Sequence, residues 1–211
     1  MTLESEISCD GRIVIFENFL SPSRFEAMSA LFRFQYPFLG HPRLKNNWEQ
    51  KDDNVYYNYR MEDTAKPSNS IQELKNKIGD PEFITHILRD KLKLICLDVS
   101  EEDILKIQVC GSIVDTGGYV KTHKSKYFTP DNEDEIFLKM ILYTHDSWTA
   151  TQNGHLEYWG NEPIKSCYEP IPNRLIVFLS DNQSTHGTTP LIGDQKLCAV
   201  ETFVKVSLLG K

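Results

Sequence analysis

The chain has no C-x-x-C pair. Its five cysteines (Cys9, Cys96, Cys110, Cys167, Cys198) are scattered and odd in number, which argues against a zinc ribbon or a thioredoxin-type site and fits a reducing, cytoplasmic compartment. No apolar stretch is long enough to span a bilayer. The acidic opening, Met1 to Glu6, lacks the basic-then-apolar order of a secretory signal, so no membrane association is expected. Positive charge is also short: the formal net charge is -7, and an acidic surface repels phosphate backbones, so no nucleic-acid partner is expected. The small cluster Lys121, Lys124, Lys126 reads as a solvated strand edge, and Asp131 to Glu135 as a solvated loop. Internal repeats and low-complexity segments are missing too.

What is present is a core-forming composition: 40% of the 211 residues are hydrophobic, enough to bury one substantial domain. Arg12 to Phe16 reads as a short strand. Ser21 then Pro22 look like an N-cap and first helical position, and Phe25, Met28, Leu31 and Phe32 recur at helical spacing to about Phe34. Tyr36 to Gln50 carries loop signals, Val55 to Tyr59 a strand signal. Helices are expected after Pro67-Ser68, with Ile71, Leu74 and Ile78 on one face, and from Pro81 through Leu92. From Ile104 the texture changes to short strands: 104–114, 119–123, 136–144, 155–159, 174–179 and 197–206, separated by turns such as Gly117-Gly118, Asn153-Gly154 and Pro172-Asn173. Strands without interspersed helices point to a β sandwich or barrel in the C-terminal half.

Of six histidines, two have an informative setting. His123 ends an expected strand after Gly117-Gly118, and His186 follows the apolar strand Arg174 to Ser180, with Lys196 ten residues further on. This order resembles the iron(II)/2-oxoglutarate oxygenase superfamily, in its prolyl-4-hydroxylase-like branch, across most of residues 104 to 206. Ile15 to Pro22 is similar to that branch's strand-to-helix entry. Leu142-Tyr143 is similar to its cosubstrate-lining strand, and Gly154 to Trp159 to its Gly-Gly-x-Leu strand.

The resemblance implies a mainly β (α+β) fold, a double-stranded β-helix or jelly roll of about 104–211, with an N-terminal helical annex of about 1–103 packed on it in a single domain. It implies iron(II), 2-oxoglutarate and O2 as cofactor and cosubstrates, with His123 and His186 as metal ligands. Imidazole nitrogens suit iron(II), and a protein face of few ligands leaves positions open. Lys196 is expected to meet the distal carboxylate of 2-oxoglutarate as a point charge where many members use arginine. Tyr143 either adds a hydroxyl there or packs; Thr188 and Cys198 are further pocket candidates, and His155 is the candidate additional active-site histidine.

The pattern is broken at Ser125, where the family's His-x-Asp motif has its aspartate. A serine hydroxyl is a poor substitute for a carboxylate ligand. Three readings remain open: an oxygenase whose third ligand is water or a carboxylate from elsewhere (Asp115 or the Asp131 to Glu135 loop), a halogenase-like site with chloride in the vacancy beside Ser125, and a binding module that no longer turns over. His145-Asp146-Ser147, read as the first motif, would leave too little chain before His186. The substrate is expected to be a small molecule or a peptidyl side chain, with Tyr127, Trp148 and Trp159 as candidates for the entrance. Nucleic-acid demethylation is disfavoured by the acidic balance.

Overall fold

A computed structural model describes residues 5–8, 11–35, 48–50, 56–60, 69–123, 136–160, 165–181 and 184–208. Its strands are β1 (Ser5–Ser8), β2 (Ile13–Phe16), β3 (Trp48–Gln50), β4 (Tyr56–Arg60), β5 (Leu97–Asp98), β6 (Gln108–Val114), β7 (Ile136–Tyr143), β8 (Leu156–Trp159), β9 (Ser166–Tyr168), β10 (Leu175–Ser180), β11 (Thr185–Thr188) and β12 (Leu197–Leu208). Helices are α1 (Pro22–Gln35), α2 (Asn69–Ile78), α3 (Pro81–Thr85) and α4 (Glu101–Leu105). A π-helical segment, His86–Lys91, extends α3.

The strands make two antiparallel sheets. The larger runs β1-β2-β10-β7-β12-β6-β4-β3, with β5 beside β12; the smaller runs β11-β8-β9. Strand alternation divides the interior in two. One set of side chains (Ile13, Ile15, Ile141, Tyr143, Ile176, Phe178, Leu197, Ala199) packs with Leu156 and Tyr158 of the small sheet. The other (Val14, Phe16, Met140, Leu142, Val177, Cys198, Val200) packs with helical residues such as Met28, Phe32, Ile71, Leu74 and Ile84. This is the jelly roll with its helical layer that the resemblance implies.

The differences from expectation have local causes. Strand β6 starts at Gln108 rather than Ile104, because Ser100 caps α4 by accepting from the Asp103 N–H at 3.0 Å. Three acidic residues in the first turn (Glu101, Glu102, Asp103) favour the helix further. The expected helix from Pro81 through Leu92 changes pitch at His86, where Leu92 N–H reaches back five residues to the Ile87 carbonyl at 2.8 Å. Residues 119–122 lie outside any strand, and His123 makes only an isolated bridge. The two strands expected in the N-terminal half are part of the large sheet, β2 beside β10 and β4 beside β6.

Asn173 fixes the entry to α1. It has a left-handed φ of 62°, which asparagine tolerates. Its side-chain oxygen accepts from Leu20 N–H and its amide donates to the Leu20 carbonyl, both at 2.8 Å.

Candidate metal and cosubstrate site

His186 lies in β11, and its backbone pairs with His123. His123 N–H donates to the His186 carbonyl at 2.9 Å and His186 N–H to the His123 carbonyl at 3.0 Å. The rings follow the backbones, with centroids 4.4 Å apart. So close an approach requires Gly187: a Cβ there would lie 2.8 Å from the Val120 carbonyl oxygen and 2.9 Å from the Thr122 backbone. Thr188 tightens the same junction. Its N–H donates to the Val120 carbonyl at 2.9 Å, and its hydroxyl accepts from Val120 N–H at 2.8 Å.

The ring of His123 is held through Nδ1, 2.8 Å from the Lys121 carbonyl, the backbone contact a metal-binding imidazole makes through its non-ligating nitrogen. His186 is 1% exposed and packs edge-on against Phe178. Burial first, then the charges of Lys139 and His123, hold its protonation well below the ordinary imidazole range. A neutral imidazole is the form that ligates metal.

Nε2 of His186 is already in contact with a cation. Lys139 Nζ lies 3.1 Å from His186 Nε2. An ammonium has only donors, so the imidazole nitrogen accepts and the ring proton sits on Nδ1. Lys139 is held from the other side by Glu201, at 3.0 Å, and both side chains are under 10% exposed. Its register places it opposite Phe178 on β10 and Phe203 on β12, with the ammonium 5.0 Å from the Phe203 ring centroid. The reading of the sequence passed over this pair. The available signal was one lysine inside the apolar run Ile136 to Tyr143 and one glutamate inside Leu197 to Val200 and its continuation, both in phase with Tyr143 and Ala199.

The donor set therefore fits iron(II) in part. Two imidazoles are brought together, and a cation stands on one of them. Ser125 falls outside the described residues, as do Tyr127 and the Asp131 to Glu135 loop. Among the described residues no group of three or more His, Cys, Asp or Glu comes together as a metal site.

The structure separates the other expected site residues. Tyr143 is on the His186 side, 2% exposed, and burial pushes its phenol well above the ordinary range. Lys196 lies apart from it. Leu197 and Ala199 take the inward face of β12 beside Tyr143, so Cys198 points to the helical layer, and Lys196 shares its side. Lys196 and Cys198 line a cavity of about 380 Å³ on that side together with Phe32, Arg33, Thr144 and His145. Lys196 is half exposed there and pairs with Asp115 at 3.2 Å, so Asp115 faces a lysine rather than the histidines. Burial pushes the Cys198 thiol up to about 12, which makes it a packing group rather than a nucleophile.

His155 is likewise placed away from His186. It shares the less buried face of its strand with Glu157 and Trp159. Its N–H donates to the Thr189 hydroxyl at 2.9 Å, and its ring meets Trp148 edge-on at 5.5 Å. Among the described residues no helix is long and apolar enough to cross a membrane.

Comparison with known proteins agrees with this architecture. The family model of the 2OG-Fe(II) oxygenase superfamily matches residues 107–204. No curated protein sequence matches the chain. Among solved structures, a Pseudomonas putida prolyl-4-hydroxylase is similar at 14% identity and TM-score 0.64, covering 92% of this chain and 91% of that one. A Trichoplax adhaerens prolyl hydroxylase, solved with a hypoxia inducible factor oxygen degradation domain peptide fragment, is similar at 14% identity and TM-score 0.69, covering 92% and 84%. The viral collagen prolyl hydroxylase of Paramecium Bursaria Chlorella virus-1, solved with 2OG, gives 12% identity and TM-score 0.59, covering 93% and 98%. The sheet order and these matches agree: residues 107–204 resemble the 2OG-Fe(II) oxygenase superfamily, whose members are oxidoreductases that work with iron(II), 2-oxoglutarate and O2, and the chain has the fold of prolyl-4-hydroxylases.

Proposed function

We propose that this chain is an iron(II)- and 2-oxoglutarate-dependent oxygenase that hydroxylates or otherwise oxidises a small molecule or a peptidyl side chain, releasing succinate and CO2. The observation that supports this reading best is the His123–His186 pair, two imidazoles joined by reciprocal backbone hydrogen bonds. When bound, the iron supplies the oxidising chemistry; the chain supplies position and exclusion of water. His123 and His186 would hold the ion. Their anchoring on the Val120 to Thr122 backbone fixes the pair without relying on a mobile side chain. Phe178 and Tyr158 wall the histidine from solvent on the barrel side.

Tyr143 is the expected residue best placed for the cosubstrate, being on the histidine side of the sheet. Lys196 would need to cross to the other face of β12 to join it. A peptidyl substrate is supported by the peptide bound to the Trichoplax relative. A cytoplasmic setting is supported by Cys96, Cys110, Cys167 and Cys198, which form no disulfide.

Two further readings each have one observation in their favour. Ser125, small and uncharged where the His-x-Asp motif has its aspartate, favours a halogenase in which chloride takes the third position. The Lys139 ammonium on His186 favours a binding module that does not turn over. Anaerobic titration with iron(II), then 2-oxoglutarate, with and without chloride, tests all three through the visible metal-to-ligand charge-transfer band. A band lost in His123→Ala and His186→Ala is expected, and a shift with chloride would favour halogenation. A band absent at every concentration would leave the binding module.

A further inference from the structure

We infer that Lys139 is a built-in occupant of the cation position at His186: its ammonium and a divalent metal ion exclude one another there. The inference rests on reading His123 and His186 as metal ligands. A metal–imidazole bond uses the nitrogen lone pair, and at His186 Nε2 that lone pair already accepts from Lys139 at 3.1 Å. A divalent ion bonded at about 2.1 Å on the same lone pair would fall inside the ammonium's own radius, and the two positive charges would repel in a poorly screened interior.

The lysine is there by construction rather than by chance orientation. Glu201 holds the ammonium at 3.0 Å with both side chains under 10% exposed, and Phe178 and Phe203 flank the stem from the neighbouring strands. The pair joins two strands of the large sheet, β7 and β12, to the one histidine contributed by the small sheet. Lys139 is not a substitute for Lys196 as cosubstrate anchor. The distal carboxylate of 2-oxoglutarate lies the length of the molecule away from its metal-chelating end, whereas Lys139 sits on the ligating nitrogen itself. Metal loading therefore requires Lys139 to leave His186, and the chain in its described state is self-capped.

Cobalt(II) serves as the probe, because its visible spectrum reports imidazole ligation without turnover. The full chain is titrated anaerobically as wild type, Lys139→Met and Lys139→Met with Glu201→Gln. The double variant removes both buried charges and so keeps the test alive if the single one unfolds. Cobalt(II) is expected to bind the Lys139 variants at least tenfold more tightly than wild type, with binding lost when His186→Ala is added. In wild type, saturating zinc(II) is expected to shift the Lys139 side-chain NMR signals along with those of His186. Equal cobalt affinity in wild type and the folded variants, or Lys139 signals unmoved at zinc saturation, overturns the inference and leaves the histidine site standing. No cobalt or zinc bound by any form overturns the metal-site reading and the inference with it.

Discussion

Lys139 and Glu201, from adjacent strands of the large sheet, form an ion pair at 3.0 Å with side chains 7% and 9% exposed. A pair this buried is costly to break and cheap to replace as a unit, because removing one partner leaves an uncompensated charge in the interior. Lys139→Met or Glu201→Gln alone is expected to lower unfolding stability by about 3–5 kcal/mol. Combining the two substitutions, which removes both charges, is expected to restore most of it. Urea unfolding of the two single variants and the double variant measures the coupling; additive losses would show that the charges do not act as a pair.

Gly187 is expected to be intolerant of any side chain. Its Cβ position is filled by the Val120 and Thr122 backbone at 2.8–2.9 Å, so Gly187→Ala must push apart the segments that carry His123 and His186. A loss of about 1–3 kcal/mol is expected, the range for overpacking, together with weaker contact between the two imidazoles. Nuclear Overhauser contacts between the His123 and His186 rings read this directly, and a variant that retains them at full strength would contradict the steric argument.

His145 gives the fold an acid-sensitive position. It is 7% exposed, and burial lowers its pKa from the ordinary 6.5 despite the hydrogen bonds to the Cys198 and Pro170 backbone. The unfolded state then takes a proton that the folded state refuses, so stability is complete above about pH 6.5 and falls as the pH drops below it. For one such group the slope reaches about 1.4 kcal/mol per pH unit. His145→Gln is expected to flatten the stability profile between pH 6.5 and 5 relative to wild type; an unchanged slope would remove His145 from the account.

Asn173→Ala is expected to cost about 2–4 kcal/mol. It removes two buried hydrogen bonds to Leu20, at about 1–1.5 each, and places alanine at a φ of 62°, where a Cβ is strained. Asn173→Gly should recover the conformational part alone. Thermal unfolding of the two variants separates the contributions, and equal losses would assign the whole effect to the hydrogen bonds.

The fold class and the two histidines were legible because their signals are local. Apolar alternation between turns identifies strands whatever they pair with, and His123 and His186 each close a short recognisable stretch. Helix starts at Pro22 and Pro81 were likewise written in single residues. Strands β3 and β9, of three residues each, lacked the length to show a period.

Facing was different, because it depends on which parity of a strand meets which sheet, a relation among residues far apart in the chain. Spacing put Lys196 ten residues after His186 but not on its side of β12, and the structure sends it to the helical face with Cys198. His155 stands on a strand that the resemblance puts beside the site, yet its ring turns to Trp148. Lys139 and Glu201 stood in plain view inside apolar runs, 62 residues apart, and nothing local said that they meet or that the lysine rests on His186. Sequence determined most of the strands and the helix starts at Pro22 and Pro81, since these depend on neighbours along the chain. Only the packing of two sheets decided which charges share the interior with the histidines, because burial and ion pairing are set by contacts across it.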